Sequence, residues 1–199
     1  MRRTMSVPLA CLFIAVWMSG AAAQERAKIL VVYHSVQGHT RLMAEAVARG
    51  ARGVELVDVK ILPVGVATKE DVLSADAIIV GSPVENANVA PEVMSFINSW
   101  PFEGKPLRDK IGAAFVTGGG ISAGEELTQL NILHSMLVFG MVVVGGDDWS
   151  AAFGASGITA ESPFGKAESG KELAEQFQKK GEALGRRVAA LAVKWRRIR

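Results

Sequence analysis

The feature that most constrains the fold is a series of continuous apolar runs that alternate with segments of helical spacing. The first run, Ile29-Leu30-Val31-Val32, has no polar residue within it, which is typical of a strand buried on both faces of a parallel sheet. Segment 40–50 follows, with apolar side chains spaced as on one face of a helix. Five such units with short connections predict an α/β fold with an open, doubly wound parallel sheet.

The remaining elements follow from the same patterns. The sequence predicts its other strands at 54–61, 77–81, 111–117 and 141–144, and its other helices at 69–73, 92–98, 125–139 and 171–194. Thr68 is expected to cap the helix after it, and Pro91 to occupy the first position of another. The stretch 145–169 is expected to be irregular. We find no linker or internal repeat, so residues 24–199 are predicted to form one domain.

The first 23 residues are typical of a secretory signal peptide. Arg2 and Arg3 precede an apolar run over 7–18, and small residues follow up to Ala23. We therefore predict cleavage after Ala23 and export, to the periplasm of a bacterium. A buried N-terminal helix is the alternative.

Composition excludes several classes of protein. Removing Arg2 and Arg3 with the leader takes the formal net charge from +2 to zero, which does not fit a nucleic-acid binder. No stretch has the roughly 20 apolar residues of a transmembrane helix. The single cysteine, Cys11, lies in the leader, which excludes a disulfide framework, a cysteine nucleophile and a cysteine-based zinc cluster. No metal site is predicted.

Ligands of doubly wound sheets bind beyond the carboxyl ends of the strands, so the loops after the first, third and fourth predicted strands are the candidate sites. The first, Ser35-Val36-Gln37-Gly38-His39-Thr40, has neither the lysine of a triphosphate-binding loop nor the spacing of a dinucleotide loop. Two hydroxyl residues around a glycine at a helix N-terminus predict a monophosphate site. Simple turn and capping roles are the alternative.

The other two loops are suited to a flat ligand. Loop 81–89 is bracketed by Pro83 and Pro91, and a rigid backbone there can read the edge of a heterocycle. Loop 117–126 has four glycines, which allow the backbone to approach a ring closely. Its Gly120-x-Ser122-x-Gly124 segment imitates a nucleophile elbow, but no histidine follows in the order that a hydrolase needs.

With Gly140-Met141 and Ser162-Pro163-Phe164-Gly165, these loops resemble the flavodoxin-like proteins, and among them the tryptophan-repressor-binding-protein (WrbA) family of NAD(P)H:quinone oxidoreductases. The resemblance covers 28–194. It implies a three-layer, five-stranded flavodoxin-like sheet of strand order 2-1-3-4-5, with FMN bound non-covalently. It also implies NAD(P)H as donor, two-electron reduction of a small-molecule quinone, and a homo-oligomer, either a dimer or a tetramer.

The same resemblance assigns site residues. Those implied for the FMN phosphate are Ser35, Val36, Gln37, Gly38, His39 and Thr40. Those implied for the ring and ribityl chain are Pro83, Val84, Glu85, Asn86, Thr117, Gly118, Gly119, Gly120, Ile121 and Ser122. Gln37 falls on the nicotinamide side, and Trp100, or failing that Phe102, near the aromatic wall of the substrate side. No catalytic acid or base is implied, because the chemistry belongs to the flavin.

Two departures from the family pattern keep other functions open. Val138 and Phe139 stand where the family has a histidine pair over the flavin, and Glu85 stands where it has an arginine. Phe139 is expected to border the ring. The alternatives to a quinone reductase are a periplasmic electron carrier that serves a redox partner protein without its own NAD(P)H site, and a flavodoxin fold that has lost FMN. Export favours the carrier, since free NAD(P)H is not expected in the periplasm.

Overall fold

The computed structural model describes residues 25–164 and 171–198. The predicted signal peptide and Gly165 lie outside these residues. The strands are β1 (Ala27–Tyr33), β2 (Val57–Pro63), β3 (Ala77–Glu85), β4 (Asn88–Val89), β5 (Ile111–Gly118), β6 (Val142–Val143) and β7 (Ala155–Ile158). The helices are α1 (His39–Arg52), α2 (Lys69–Ser74), α3 (Pro91–Asn98), α4 (Glu125–Val138) and α5 (Glu175–Arg196), with a 3₁₀ turn at Trp149–Ala151.

Among these residues no helix combines the length and the apolar character that crossing a bilayer requires.

The main sheet confirms the doubly wound topology. Its strands are parallel and lie in the order β2-β1-β3-β5-β6, which is the predicted order once the short β4 is set aside. From β1 the chain moves outward to β2, then returns past β1 to β3 and continues to the opposite edge. The first and third strands are therefore neighbours whose following loops diverge, which leaves a crevice at their carboxyl ends.

The fifth position of the sheet is shared by two short strands, β6 and β7. β6 pairs only with Ile111 and Gly112 at the start of β5, and β7 pairs with Phe115–Gly118 at its end. Thus β7 lies inside the stretch 145–169 that was expected to be irregular. Its sequence, Ala-Ser-Gly-Ile, has weak β propensity. The strand forms because the second half of β5 would otherwise present unpaired backbone groups.

The loop expected after the third strand is instead a β-hairpin. β3 continues to Glu85 and pairs antiparallel with β4, with Val84 opposite Val89. The two residues between the strands, Asn86 and Ala87, have φ angles of 48° and 61°. Positive φ at both central positions is the geometry of a two-residue hairpin turn. Pro83, Val84 and Glu85 therefore stand on a strand that projects beyond the sheet.

Both faces of the sheet are buried, as the continuous apolar runs predict. Along β1, Ile29 and Val31 join the core beneath α1 and α5. Leu30 and Val32 point the other way and join the core beneath α3 and α4. Each of the four is at most 2% exposed. Since full burial of such a side chain contributes about 1.5–3 kcal/mol, the two cores together fix three layers.

Helices α1 and α5 touch backbone to backbone through glycines. A Cβ on Gly185 would lie 1.9 Å from the carbonyl oxygen of Val47, and one on Gly50 would lie 1.9 Å from that of Glu182. No side chain fits at either position without moving a helix. Because α1 begins at the first candidate loop, this contact also sets the position of that loop.

Replacing Gly185 with alanine is therefore expected to lower the free energy of unfolding by at least about 2 kcal/mol, the cost of forcing extra volume into a packed core. Urea denaturation followed by circular dichroism measures it. Gly65→Ala is the matched control, because a Cβ on Gly65 meets no atom within 4 Å. Equal stability of the two variants would contradict the close packing of α1 on α5.

Candidate functional site

A cleft of about 490 Å³ lies at the carboxyl edge of the sheet, between the ends of β1, β3 and β5. Its volume is within the roughly 300–1,000 Å³ of small-molecule sites. The residues that line it are Ser35, Val36, Gln37, His39, Thr40, Pro83, Val84, Glu85, Thr117, Gly118, Gly119, Thr159 and Ala160. Residues from all three predicted loops thus meet in one place.

The start of α1 forms one end of the cleft. Gly38, which precedes the helix, has a φ of 92°, a conformation that favours glycine. Its N–H donates to Ser35 Oγ at 3.1 Å, and the N–H of Arg41 donates to the same oxygen at 3.3 Å. The Ser35 hydroxyl therefore lies over the first turn of α1, where amide donors and the positive end of the helix dipole favour an anion.

Among the α-helices of the described residues, only α1 has no acidic side chain in its first turn. At α4 the contrast is direct. Glu125 accepts hydrogen bonds from the N–H groups of Ser122 and Ala123, at 2.9 and 3.0 Å. That terminus is already balanced by its own carboxylate. The start of α1 is the one left to an external anion.

A buried hydroxyl pair joins α1 to β5 at the base of the cleft. Thr40 Oγ1 and Thr117 Oγ1 lie 2.8 Å apart, and the two residues are 2% and 5% exposed. One hydroxyl donates and the other accepts. This bond fixes the anion-binding end of the cleft relative to the glycine-rich segment that follows β5.

The middle of the cleft is a narrow slot. Val84 and Glu85, on the hairpin, form one wall. Backbone at Gly118 and Gly119 forms the other, and a Cβ on Gly118 would lie 3.4 Å from Val84 Cγ2. A Cβ on Gly119 would meet no atom within 4 Å, so the slot continues along open space there. Val84 lies too close to Gly118 for a ring to enter between them, so the room for a flat ring is the open part beside Gly119, against bare peptide groups.

Thr159 and Ala160 line the cleft but were missed from the sequence. They continue β7: the N–H of Thr159 donates to Gly118 O at 2.9 Å, and that of Ala160 to Gly119 O at 3.0 Å. The next residue, Glu161, accepts a hydrogen bond from the N–H of Ile121 at 2.5 Å. These bonds hold the glycine-rich segment in place. No local pattern marks them, because the strand that carries them forms only by pairing.

Five predicted residues adjoin the cleft without lining it. Asn86 lies in the hairpin turn, and Gly120, Ile121 and Ser122 follow the part of the segment that does line it. Gly38 lines a neighbouring pocket of about 430 Å³.

That second pocket shares its wall with the cleft. Ser35, Val36 and Gln37 line both. On its far side stand Arg41, which is exposed, and Tyr33. Burial raises the pKa of the Tyr33 phenol, and the nearby Arg41 charge opposes this shift only in part, so the phenol stays neutral at physiological pH. Gln37 therefore lies in the wall between the two pockets.

Phe139 and Trp100 lie elsewhere. Their rings pack on each other with centroids 5.4 Å apart, and Phe139 also contacts Phe102 at 5.8 Å. The N–H of Asp109, just before β5, donates to the carbonyl of Gly140. This places Phe139 at the amino edge of the sheet, about 25 Å from the cleft for a strand as long as β5.

The expected contact of Phe139 and Trp100 with the cofactor is therefore absent within this chain. The physical reason is the direction of the helices. α3 and α4 each start at the carboxyl edge and run back, so the residues after their last turns reach the opposite edge.

Known proteins similar to this chain identify its family and its fold. The sequence profile of the family described as NADPH-dependent FMN reductase matches residues 27–156. A Methylocella silvestris protein named NAD(P)H dehydrogenase (quinone) is 35% identical over 198 aligned residues, which cover 84% of this chain and 98% of that protein. An Aquifex aeolicus flavodoxin is 34% identical over 167 residues, covering 81% of this chain and 85% of the flavodoxin.

Solved structures agree on the fold. A flavodoxin, WrbA-like protein from Agrobacterium tumefaciens superposes with a TM-score of 0.67 at 21% identity, covering 84% of this chain and 98% of that one. A flavodoxin from the domain Archaea superposes with a TM-score of 0.61 at 23% identity, covering 83% and 98%.

Proposed function

Since this chain belongs to the NADPH-dependent FMN reductase family, we propose that it is an FMN-dependent NAD(P)H:quinone oxidoreductase. The observation that carries the assignment is the joining, in one cleft, of an anion-binding helix start and a flat slot lined by backbone. Relatives of near full-length overlap that are named NAD(P)H dehydrogenase (quinone) support the choice of donor and acceptor.

The residues of the cleft fit FMN from end to end. The phosphate would bind at the start of α1, held by backbone N–H groups and by the hydroxyls of Ser35 and Thr40. The ring would lie in the open part of the slot beside the peptide groups of Gly119, next to Val84. Since α1 has no acidic residue in its first turn, a phosphate dianion there meets no carboxylate from its own helix.

When bound, FMN supplies the redox chemistry: a hydride leaves NAD(P)H, and two electrons and two protons reach the quinone, the second proton coming from solvent. The chain's own part is to bind and orient. No phenylalanine, tyrosine or tryptophan of the described residues lines the cleft. Gln37, which lines both the cleft and the second pocket, would contact NAD(P)H as it reaches the ring.

Replacing Gly38 with valine is expected to weaken FMN binding at least about tenfold, or 1.4 kcal/mol. A side chain at positive φ costs about 1–2 kcal/mol and displaces the amide groups that would hold the phosphate. Quenching of FMN fluorescence on titration measures the affinity, and the unmodified protein is expected to bind one FMN per chain.

Gly104→Val is the matched control. Gly104 has a φ of 73° and open space around its Cβ position, so the variant carries the same backbone strain away from the cleft. It should bind FMN as the unmodified protein does. Equal FMN affinities for the two variants would place the phosphate somewhere other than α1.

Anaerobic mixing with NADPH separates an enzyme from a carrier. We expect the flavin absorbance of the loaded protein to bleach on mixing, and an added quinone to restore it. An electron carrier, as the kinship with a flavodoxin also allows, would keep its absorbance with NADPH and lose it only with a chemical reductant. That result would contradict the proposed reductase.

We propose further that residues 1–23 are a signal peptide and that the domain 24–199 acts in the periplasm. β1, the first strand of the domain, begins at Ala27, so cleavage after Ala23 leaves every strand intact. When the full-length chain is expressed in a bacterium, we expect to find the protein in the periplasmic fraction. Its mass, measured by mass spectrometry, should equal that of a chain whose first residue is Gln24. Recovery of the uncut chain from the cytoplasm would contradict this, and a version lacking 1–23 is the control.

A homo-oligomer, either a dimer or a tetramer, is the assembly we propose. Phe102, Leu137 and Val138 are each more than half exposed near the amino edge of the sheet, which supports self-association through that end.

A further inference from the structure

Three side chains with metal-binding atoms meet beside the hairpin. His34 follows β1, Glu85 ends β3, and Glu92 is in the first turn of α3. One nitrogen of His34 and one oxygen from each glutamate all lie within 4.8 Å of one another. His34 precedes Glu85 by 51 positions and meets it through the pairing of β1 with β3, whereas Glu92 follows Glu85 by seven positions after the short return through β4.

The imidazole of His34 lacks a partner at one nitrogen. Its Nε2 is shielded from solvent and makes no hydrogen bond within the described part of the chain. Glu92 Oε2 is its neighbour at 3.6 Å. That separation is too long for a hydrogen bond. It is close to the roughly 3.3 Å between two ligands that each lie about 2.0–2.1 Å from one tetrahedral metal ion.

No lysine or arginine of the described residues balances the charge of the two carboxylates. Within 25–164 and 171–198, no lysine or arginine approaches the carboxylate of Glu85 or of Glu92 within 4.0 Å, and His34 is the one basic group beside Glu92. Two carboxylates held this close repel each other, and a divalent cation between them would relieve the repulsion and use the buried imidazole nitrogen.

We propose that His34, Glu85 and Glu92 form a binding site for a divalent transition-metal cation of the zinc class. One imidazole nitrogen and two carboxylate oxygens are ligands that Zn²⁺ accepts, with a water completing the fourth position. The site shares only Glu85 with the lining of the FMN cleft, and its other two ligands lie outside that lining. Metal binding is therefore tested on the protein freed of FMN, where its outcome does not depend on the proposed activity.

The test is isothermal titration of Zn²⁺ into the tag-free protein, freed of metal and of FMN. We expect one Zn²⁺ per chain. His34→Gln and Glu92→Gln should each weaken binding at least about tenfold, because each removes one of three ligands. The Glu92 side chain is 55% exposed, so its replacement is not expected to impair folding. Glu92→Gln therefore tests the site even if His34→Gln does not fold.

Matched controls are His134→Gln and Glu103→Gln, both at exposed positions outside the cluster. They should bind Zn²⁺ as the unmodified protein does. An absence of binding at one equivalent would overturn the proposal, and so would a site whose affinity is unchanged by both His34→Gln and Glu92→Gln. Neither result would bear on FMN, which is measured separately by fluorescence quenching.

Discussion

Burial of the central strands on both faces is the constraint from which the rest of the structure follows. Because Ile29 and Leu30, adjacent in sequence, must both leave water, helices have to cover each side of the sheet. To place helices on both sides, the chain must reverse the direction in which it adds strands across the sheet. Here this reversal lies between β1 and β3. The cleft lies at that reversal, where the loops diverge.

The electrostatics of the cleft depend on which helix N-termini carry acidic side chains and which do not. Of the five α-helices in the described part of the chain, four carry an acidic residue in the first turn, and α1 does not. Glu125 and Glu161 take up amide groups of the glycine-rich segment, which fixes its shape and removes it as a rival anion site. The anionic group of a ligand is therefore favoured at the start of α1, and its neutral, flat part is favoured in the slot beside that helix.

Sequence patterns that depend on near neighbours predicted the starts of helices correctly. Thr68 caps α2 in a reciprocal pair with Asp71, and Pro91 opens α3, because each depends on neighbours a few residues away. The pKa of Asp71 is lowered by its hydrogen bond from Lys60 and by the cap itself, so the contribution of this pair to stability is present above the ordinary pKa of an aspartate and is lost as pH falls through the lowered one.

The sequence by itself determined the alternation of strands and helices, the three loops of the cleft and the family resemblance, since these reside in composition and short spacing. Tertiary structure decided the hairpin, the pairing of β7, and thereby the roles of Thr159 and Ala160. It also removed Phe139 from the cleft and gathered His34, Glu85 and Glu92. The hairpin pairs near neighbours, but its Asn86-Ala87 turn lacks the glycine that usually marks such turns. The other outcomes depend on strand pairing and helix direction between residues tens of positions apart, and no local pattern encodes which of them will meet.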